Sequence, residues 1–148
     1  MIERVLLAVD DSSPSLAAAR LAVGMARSWR LQLRAVSVSS NHALDAALAG
    51  AGGQADAAGA RRAMSTGAVL ARVTSLAHES GVNVETEMLA GDVGPAILAA
   101  ARDWNADLIV MGKSARPARG EPYVGSQTRH VLEFADQPVL VVPPQGPR

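Results

Sequence analysis

Hydrophobic and polar positions follow two rhythms along the chain, with short apolar runs separated by longer stretches of helical period. The first run, VLLAV at residues 5–9, is apolar throughout and ends in Asp10, Asp11 and a Ser-Ser-Pro turn. A strand buried on both faces enters a loop in this way. Residues 14–29 then place Leu16, Ala19, Val23 and Ala26 at helical spacing, with Ser13 positioned to cap a helix whose first residue is Pro14. LQLRAVSV at 31–38 and VNVETEML at 82–89 alternate as strands. Between them, residues 60–80 carry Met64, Val69, Val73 and Leu76 on a helical period that Gly81 should stop. The stretch 39–59 is rich in Ala, Gly, Ser and Asn and predicts a long flexible connection holding at most a helical turn. A helix capped near Asp92, with Ile97, Leu98, Ala101 and Trp104 as its core stripe, leads into ADLIVMG at 106–112. A last helix over 126–135 leads into QPVLVVP at 137–143.

Five strands separated by helices, with the first, fourth and fifth almost wholly apolar, predict an α/β fold. It is a doubly wound, five-stranded parallel sheet with helices on both faces, in one domain over residues 1–148. Ligands of such sheets lie beyond the carboxyl ends of the strands, where strand order reverses. The loops after Val9, Val38 and Met111 should meet at that edge. The closing PVLVV is expected at a sheet edge with no charged residue to guard it. A two-fold dimer that pairs it with its copy would satisfy both edges.

Composition narrows the choices further. The chain is 49% hydrophobic but only 3% aromatic, so its core must be made of small aliphatic side chains and its helices must lie close to the sheet. Lys plus Arg equals Asp plus Glu at 14 each, which removes the footprint of a general nucleic-acid or membrane-surface binder. With no cysteine there is no disulfide framework, thiolate metal site or thiol nucleophile. The N-terminal apolar run is too short for a secretory core or a membrane span, and a soluble cytoplasmic protein is expected.

Candidate chemistry concentrates in MGKSARPARGEPYVGSQT, residues 111–128, which holds the single lysine of the chain. The Gly112-Lys113-Ser114 triplet is not a P-loop, because the glycine required five positions earlier is Asp107. What remains is Gly112, two residues, Ala115, nine residues, then Gly125-Ser126 where a helix begins. Gly112 would let backbone approach a ligand, and Gly125-Ser126 would offer free amides and a hydroxyl to an anion. Lys113, Arg116 and Arg119 add local positive charge. The structural alternative is that Gly112 permits a turn and Ser126 caps the last helix.

This pattern resembles the nucleotide-binding signature of the universal stress protein family: glycine, two residues, glycine, nine residues, then glycine with serine or threonine. VLLAVDDS, AGDVGPAILAAARDWNADLIVMG and QPVLVVP are similar to that family's first strand and acidic turn, third helix with fourth strand, and closing strand. The resemblance implies a Rossmann-like fold of the adenine nucleotide alpha-hydrolase type and a site for ATP or AMP, with or without Mg²⁺. By position, Ala8, Val9 and Asp10 would border adenine and ribose, and Val36 would line the base pocket. Met111 and Gly112 would contact ribose and phosphate, followed by Ser114 and Ala115. Gly125, Ser126, Gln127 and Thr128 would hold the phosphates. Ala115 departs from the family's glycine, and its methyl group could crowd a phosphate. The resemblance also implies dimerisation through the last strand.

Other constellations add less. Asp10-Asp11 is like the acidic pair of a response-regulator receiver, but the aspartate ending a third strand and the lysine ending a fifth are missing. His42, His78 and His130 have no metal-binding spacing, and Ser12, Ser13 and Ser15 lie in no nucleophile elbow. Trp29 and Trp104, each near a helix end, suit a core edge or a dimer contact. No general base or arginine finger can be assigned to a γ-phosphate, so any ATP hydrolysis should be slow. The expectation is a dimeric nucleotide-binding stress or regulatory module. The alternative is a family member without nucleotide that acts as a scaffold for an unidentified protein partner. An adenylate-transferring enzyme would need substrate residues that are not found.

Overall fold

The computed structural model describes residues 1–39, 53–113 and 125–145. Five strands, β1 (Arg4–Ala8), β2 (Gln32–Ser39), β3 (Val84–Ala90), β4 (Leu108–Gly112) and β5 (Val139–Val142), form one sheet in the order β3-β2-β1-β4-β5. Every pairing is parallel. Among the described residues the helices are α1 (Ser13–Trp29), α2 (Gly53–Glu79), α3 (Val93–Trp104) and α4 (Ser126–Phe134). None is long and apolar enough to cross a membrane.

Side chains alternate across a strand, and β1 uses both directions for burial. Val5 and Leu7 join the core under α1 and α2, which includes Ala18, Ala22, Val23, Val69 and Val73. Leu6 and Ala8 join Ile97, Leu98, Ala101 and Val131 under α3 and α4. This two-sided burial is why VLLAV is apolar without interruption. The small side chains work as composition implies. Ala18, Ala19 and Ala22 on α1 are at most 1% exposed, which lets the helix axis lie close to the sheet.

Several local boundaries differ from the sequence expectation. The residue that caps α1 is Ser12, whose hydroxyl accepts from Ser15 N, so Ser13 is already helical. Helix α2 begins at Gly53, where the sequence predicts a connection running to residue 59. The alanines between Gly53 and Ala60 are strong helix formers and offset the interspersed glycines; the rest of that connection, with His42, lies outside the described residues. Gly81 does end α2, at φ 71°, while Val82 N bonds back to Ala77 O.

The two sheet edges differ. β3 exposes Glu85, Thr86, Glu87 and Met88, and Arg34 of β2 pairs with Glu85 at 2.6 Å and Glu87 at 3.9 Å. The same guanidinium stands 4.7 Å from the centre of the Trp104 ring, which places Trp104 at a core edge; Trp29, 64% exposed, is not a core residue. At the amino end of the strands, Asp107 Oδ2 accepts from Glu3 N and Arg4 N, each at 2.9 Å. Those bonds, Glu3 first, hold its carboxyl below the usual range.

Candidate functional site

Strand order reverses between β1 and β4, because the chain leaves β1 for β2 and β3 on one side and returns through β4 on the other. A cavity of ≈ 250 Å³ opens at the carboxyl ends of those two strands. Ala8, Val9, Asp10, Val36, Met111, Gly112, Gly125, Ser126, Gln127 and Thr128 all line it. Ser114 and Ala115 lie outside the described residues.

The β1 side is a rigid turn. Asp10 Oδ1 accepts from Ser12 N at 2.8 Å and from Ser15 Oγ at 2.9 Å, and that hydroxyl in turn accepts from Asp10 N at 2.9 Å. Asp and Ser turn chemistry thus fixes the loop, and Val9 N bonds to Val36 O across to β2. Among the described residues Asp10 is the only carboxylate lining the cavity, and no group of three or more His, Cys, Asp or Glu comes together. With Oδ1 already accepting two hydrogen bonds, Asp10 has its other oxygen left for a hard cation such as Mg²⁺.

The β4 side gives Gly112 a packing role as well. Gly112 lines the cavity, but a Cβ built on it would stand 2.5 Å from the carbonyl carbon and 2.7 Å from the carbonyl oxygen of Pro14. The glycine is required by the first turn of α1, whatever binds next to it. Lys113 follows, its backbone N–H bonded to Val142 O at 2.7 Å.

Helix α4 supplies the third wall. Its N-cap is Gly125, at φ 93° and ψ 147°, without a side-chain cap, so Ser126 is the first helical residue and does not cap the helix. The first intrahelical bond runs from Arg129 N to Gly125 O. The backbone N–H groups of Ser126, Gln127 and Thr128 therefore take no acceptor among the described residues, and they converge at the positive end of the helix dipole. The side chain of Gln127 has a partner of its own: its Oε1 accepts from Gly94 N of α3 at 2.9 Å.

Sequence reasoning missed the floor. Val38, Val93 and Ile97 line the same cavity, although Ile97 reads simply as core. The signal was available in the topology, since α3 must start at the carboxyl edge where β3 ends. Ser12, Ser15 and Lys113 also belong to the lining. The cavity thus divides its lining between the apolar side chains of Val36, Val38 and Ile97 and a polar set of free amides and Lys113. A flat apolar ring bearing an anionic group fits that division, and so does a phosphorylated nucleoside.

Fold and sequence both have known counterparts. A model described as the universal stress protein family matches residues 1–143. Over 73 residues the chain is 40% identical to universal stress protein MJ0531 of Methanocaldococcus jannaschii, a match that takes in 49% of this chain and 43% of that one. The chain spans under half the length of the curated relatives it matches. UspA from Lactobacillus plantarum is similar at 30% identity and a TM-score of 0.70, over 95% of this chain and 97% of that one. The universal stress protein from Archaeoglobus fulgidus, solved in complex with dAMP, shares the fold at a TM-score of 0.68 and 20% identity, over 96% of this chain and 98% of that one.

Proposed function

The chain belongs to the universal stress protein family, and from that premise we propose that its cleft binds an adenine nucleotide, AMP or ATP, and that the protein acts as a nucleotide-responsive regulatory module. The observation that carries this is the division of the lining of the cavity at the β1 and β4 ends. The apolar wall suits a base, and the α4 terminus with Lys113 suits a phosphate. The dAMP complex of the Archaeoglobus fulgidus protein supports adenosine phosphates as the ligand class. Asp10 stands on the β1 side, where it could accept from a ribose hydroxyl or join one oxygen to a nucleotide-bound Mg²⁺.

Binding, and not turnover, is the function proposed. Among the described residues Asp10 is the one carboxylate of the lining, and it is held by Ser12 and Ser15 as a turn residue, so none of them is arranged to activate water at a γ-phosphate. Calorimetric titration of the nucleotide-stripped protein with AMP and ATP, each with and without Mg²⁺, tests the assignment. Saturation in the micromolar range is expected, and the two isotherms identify the preferred nucleotide. No binding of either, confirmed by a second method, would sink nucleotide recognition and leave the protein surface as the working part.

That surface has one promising edge. β5 is a terminal strand whose Val139, Leu140 and Val141 are half-buried, and Leu132 and Phe134 of α4 are 45% and 59% exposed. Pairing of β5 with its copy about a two-fold axis would cover this edge. Leu140→Lys should then shift sedimentation from dimer towards monomer, and an unchanged mass would remove β5 from the interface.

A further inference from the structure

We propose that Gln127 determines ligand specificity in the cleft. Its amide is held in one orientation, so that it presents only hydrogen-bond donors and selects a ligand bearing a phosphoryl oxygen over the same ligand without one. The proposal rests on nucleotide binding in this cleft and adds how the ligand's anionic end is read.

A glutamine amide can normally rotate to offer either its carbonyl oxygen or its NH₂ group. Here α3 decides between them. Its N-cap, Asp92, makes no side-chain hydrogen bond to the first turn. Ala96 N is satisfied by Asp92 O, and Pro95 has no N–H. Gly94 N, like Val93 N, has no acceptor within the helix, and it takes Gln127 Oε1 at 2.9 Å. Rotating the amide would bring donor against donor and leave the Gly94 N–H orphaned at a helix terminus. The approach of the two helices is close at this point because position 94 has no side chain. A Cβ there would stand 2.7 Å from Cδ2 of His130 on α4.

With Oε1 committed, the two hydrogens on Nε2 are what Gln127 has left to offer. No residue among those described accepts them, and Gln127 lines the cavity. They join the free N–H groups of the α4 terminus and the Lys113 ammonium as a set composed only of donors. Such a set is unsatisfied by a bare hydroxyl and fully used by an anionic phosphoryl group.

Gln127→Glu tests the assignment, because the carboxylate still accepts from Gly94 N and its charge is favourable in the first turn of both helices. It removes the donor while retaining the clamp, so the variant should melt no lower than the parent; a lower melting temperature would overturn the fixed amide. In the parent protein, the side-chain NH₂ resonances of Gln127, identified by their loss in the variant, should move on adding AMP and stay in place on adding adenosine. AMP affinity of the variant should fall at least roughly 10-fold, because one hydrogen bond to a charged group is lost and a carboxylate is set against the phosphate, with adenosine affinity unchanged. If the parent binds AMP but its amide resonances do not move, or if the variant loses both ligands equally, the assignment of Gln127 fails and nucleotide binding stands. If the parent binds neither AMP nor adenosine, nucleotide recognition fails and the proposal fails with it.

Discussion

Gly112→Ala should destabilise the protein by about 2–3 kcal/mol, near the upper end for one surplus methyl in a packed site. The contacts explain why relief would be difficult. The new Cβ would sit 2.5 Å from the carbonyl carbon, 2.7 Å from the carbonyl oxygen and 2.8 Å from Cβ of Pro14. None of these atoms is the far end of a flexible side chain. Either the end of β4 or the first turn of α1 has to move. Moving α1 would pull Ser12 and Ser15 away from Asp10 and so open the turn that forms one wall of the cleft. Loss of nucleotide affinity should therefore accompany loss of stability. Gly24→Ala is the matched control. It lies in the interior of the same helix with nothing within 4 Å of its added Cβ. It should stabilise the protein by about 0.5–1 kcal/mol, the helix-interior difference between glycine and alanine. Urea unfolding followed by circular dichroism reads both, and opposite signs are expected. A Gly112→Ala midpoint equal to the parent's would show that the α1 contact does not require glycine.

Gly125→Ala should cost about 1–3 kcal/mol in stability, the usual price of holding a side-chain-bearing residue in backbone space that glycine alone enters readily. The strain comes from its φ of 93° with ψ of 147°. Its larger effect should be on binding. The variant can relieve the strain only by rotating the peptide that leads into α4, and that rotation re-aims the free N–H groups of Ser126, Gln127 and Thr128. AMP affinity should fall by roughly tenfold or more, the equivalent of at least one charge-assisted hydrogen bond. Ser126→Ala keeps glycine at the cap and should lose less, since it removes a hydroxyl and no amide. Titration of both variants, after circular dichroism has confirmed that each is folded, makes the comparison. Parent-like affinity in a folded Gly125→Ala variant would detach the α4 terminus from ligand binding.

These two glycines show where the sequence is legible and where it is not. Both stand out in the linear pattern, and both do line the cleft. The reason for Gly125 can be anticipated, because a glycine before a helix is where unusual backbone is expected. The reason for Gly112 cannot, because Pro14 lies almost a hundred residues away in the chain. Gln127 repeats the lesson. Its place near the proposed phosphate site follows from the motif, whereas the claim of Gly94 on its carbonyl arises only when α3 and α4 are packed.

The linear chain carried the strand and helix succession, the parallel class of the sheet and the edge at which a site is expected. These follow from side-chain period and from which runs are apolar on both faces, properties carried by neighbours in the chain. It was less informative over residues 53–59, where alanine and glycine give opposing helical signals with little periodicity between them, and at Ser12 and Ser13, where adjacent serines are equally good caps. Packing between distant segments made Asp10 a pinned turn residue, brought Val38, Val93 and Ile97 to the cleft and tied Gly112 to α1. Each depends on distances between segments remote in sequence, and those distances are set by how closely an alanine-rich helix packs on the sheet.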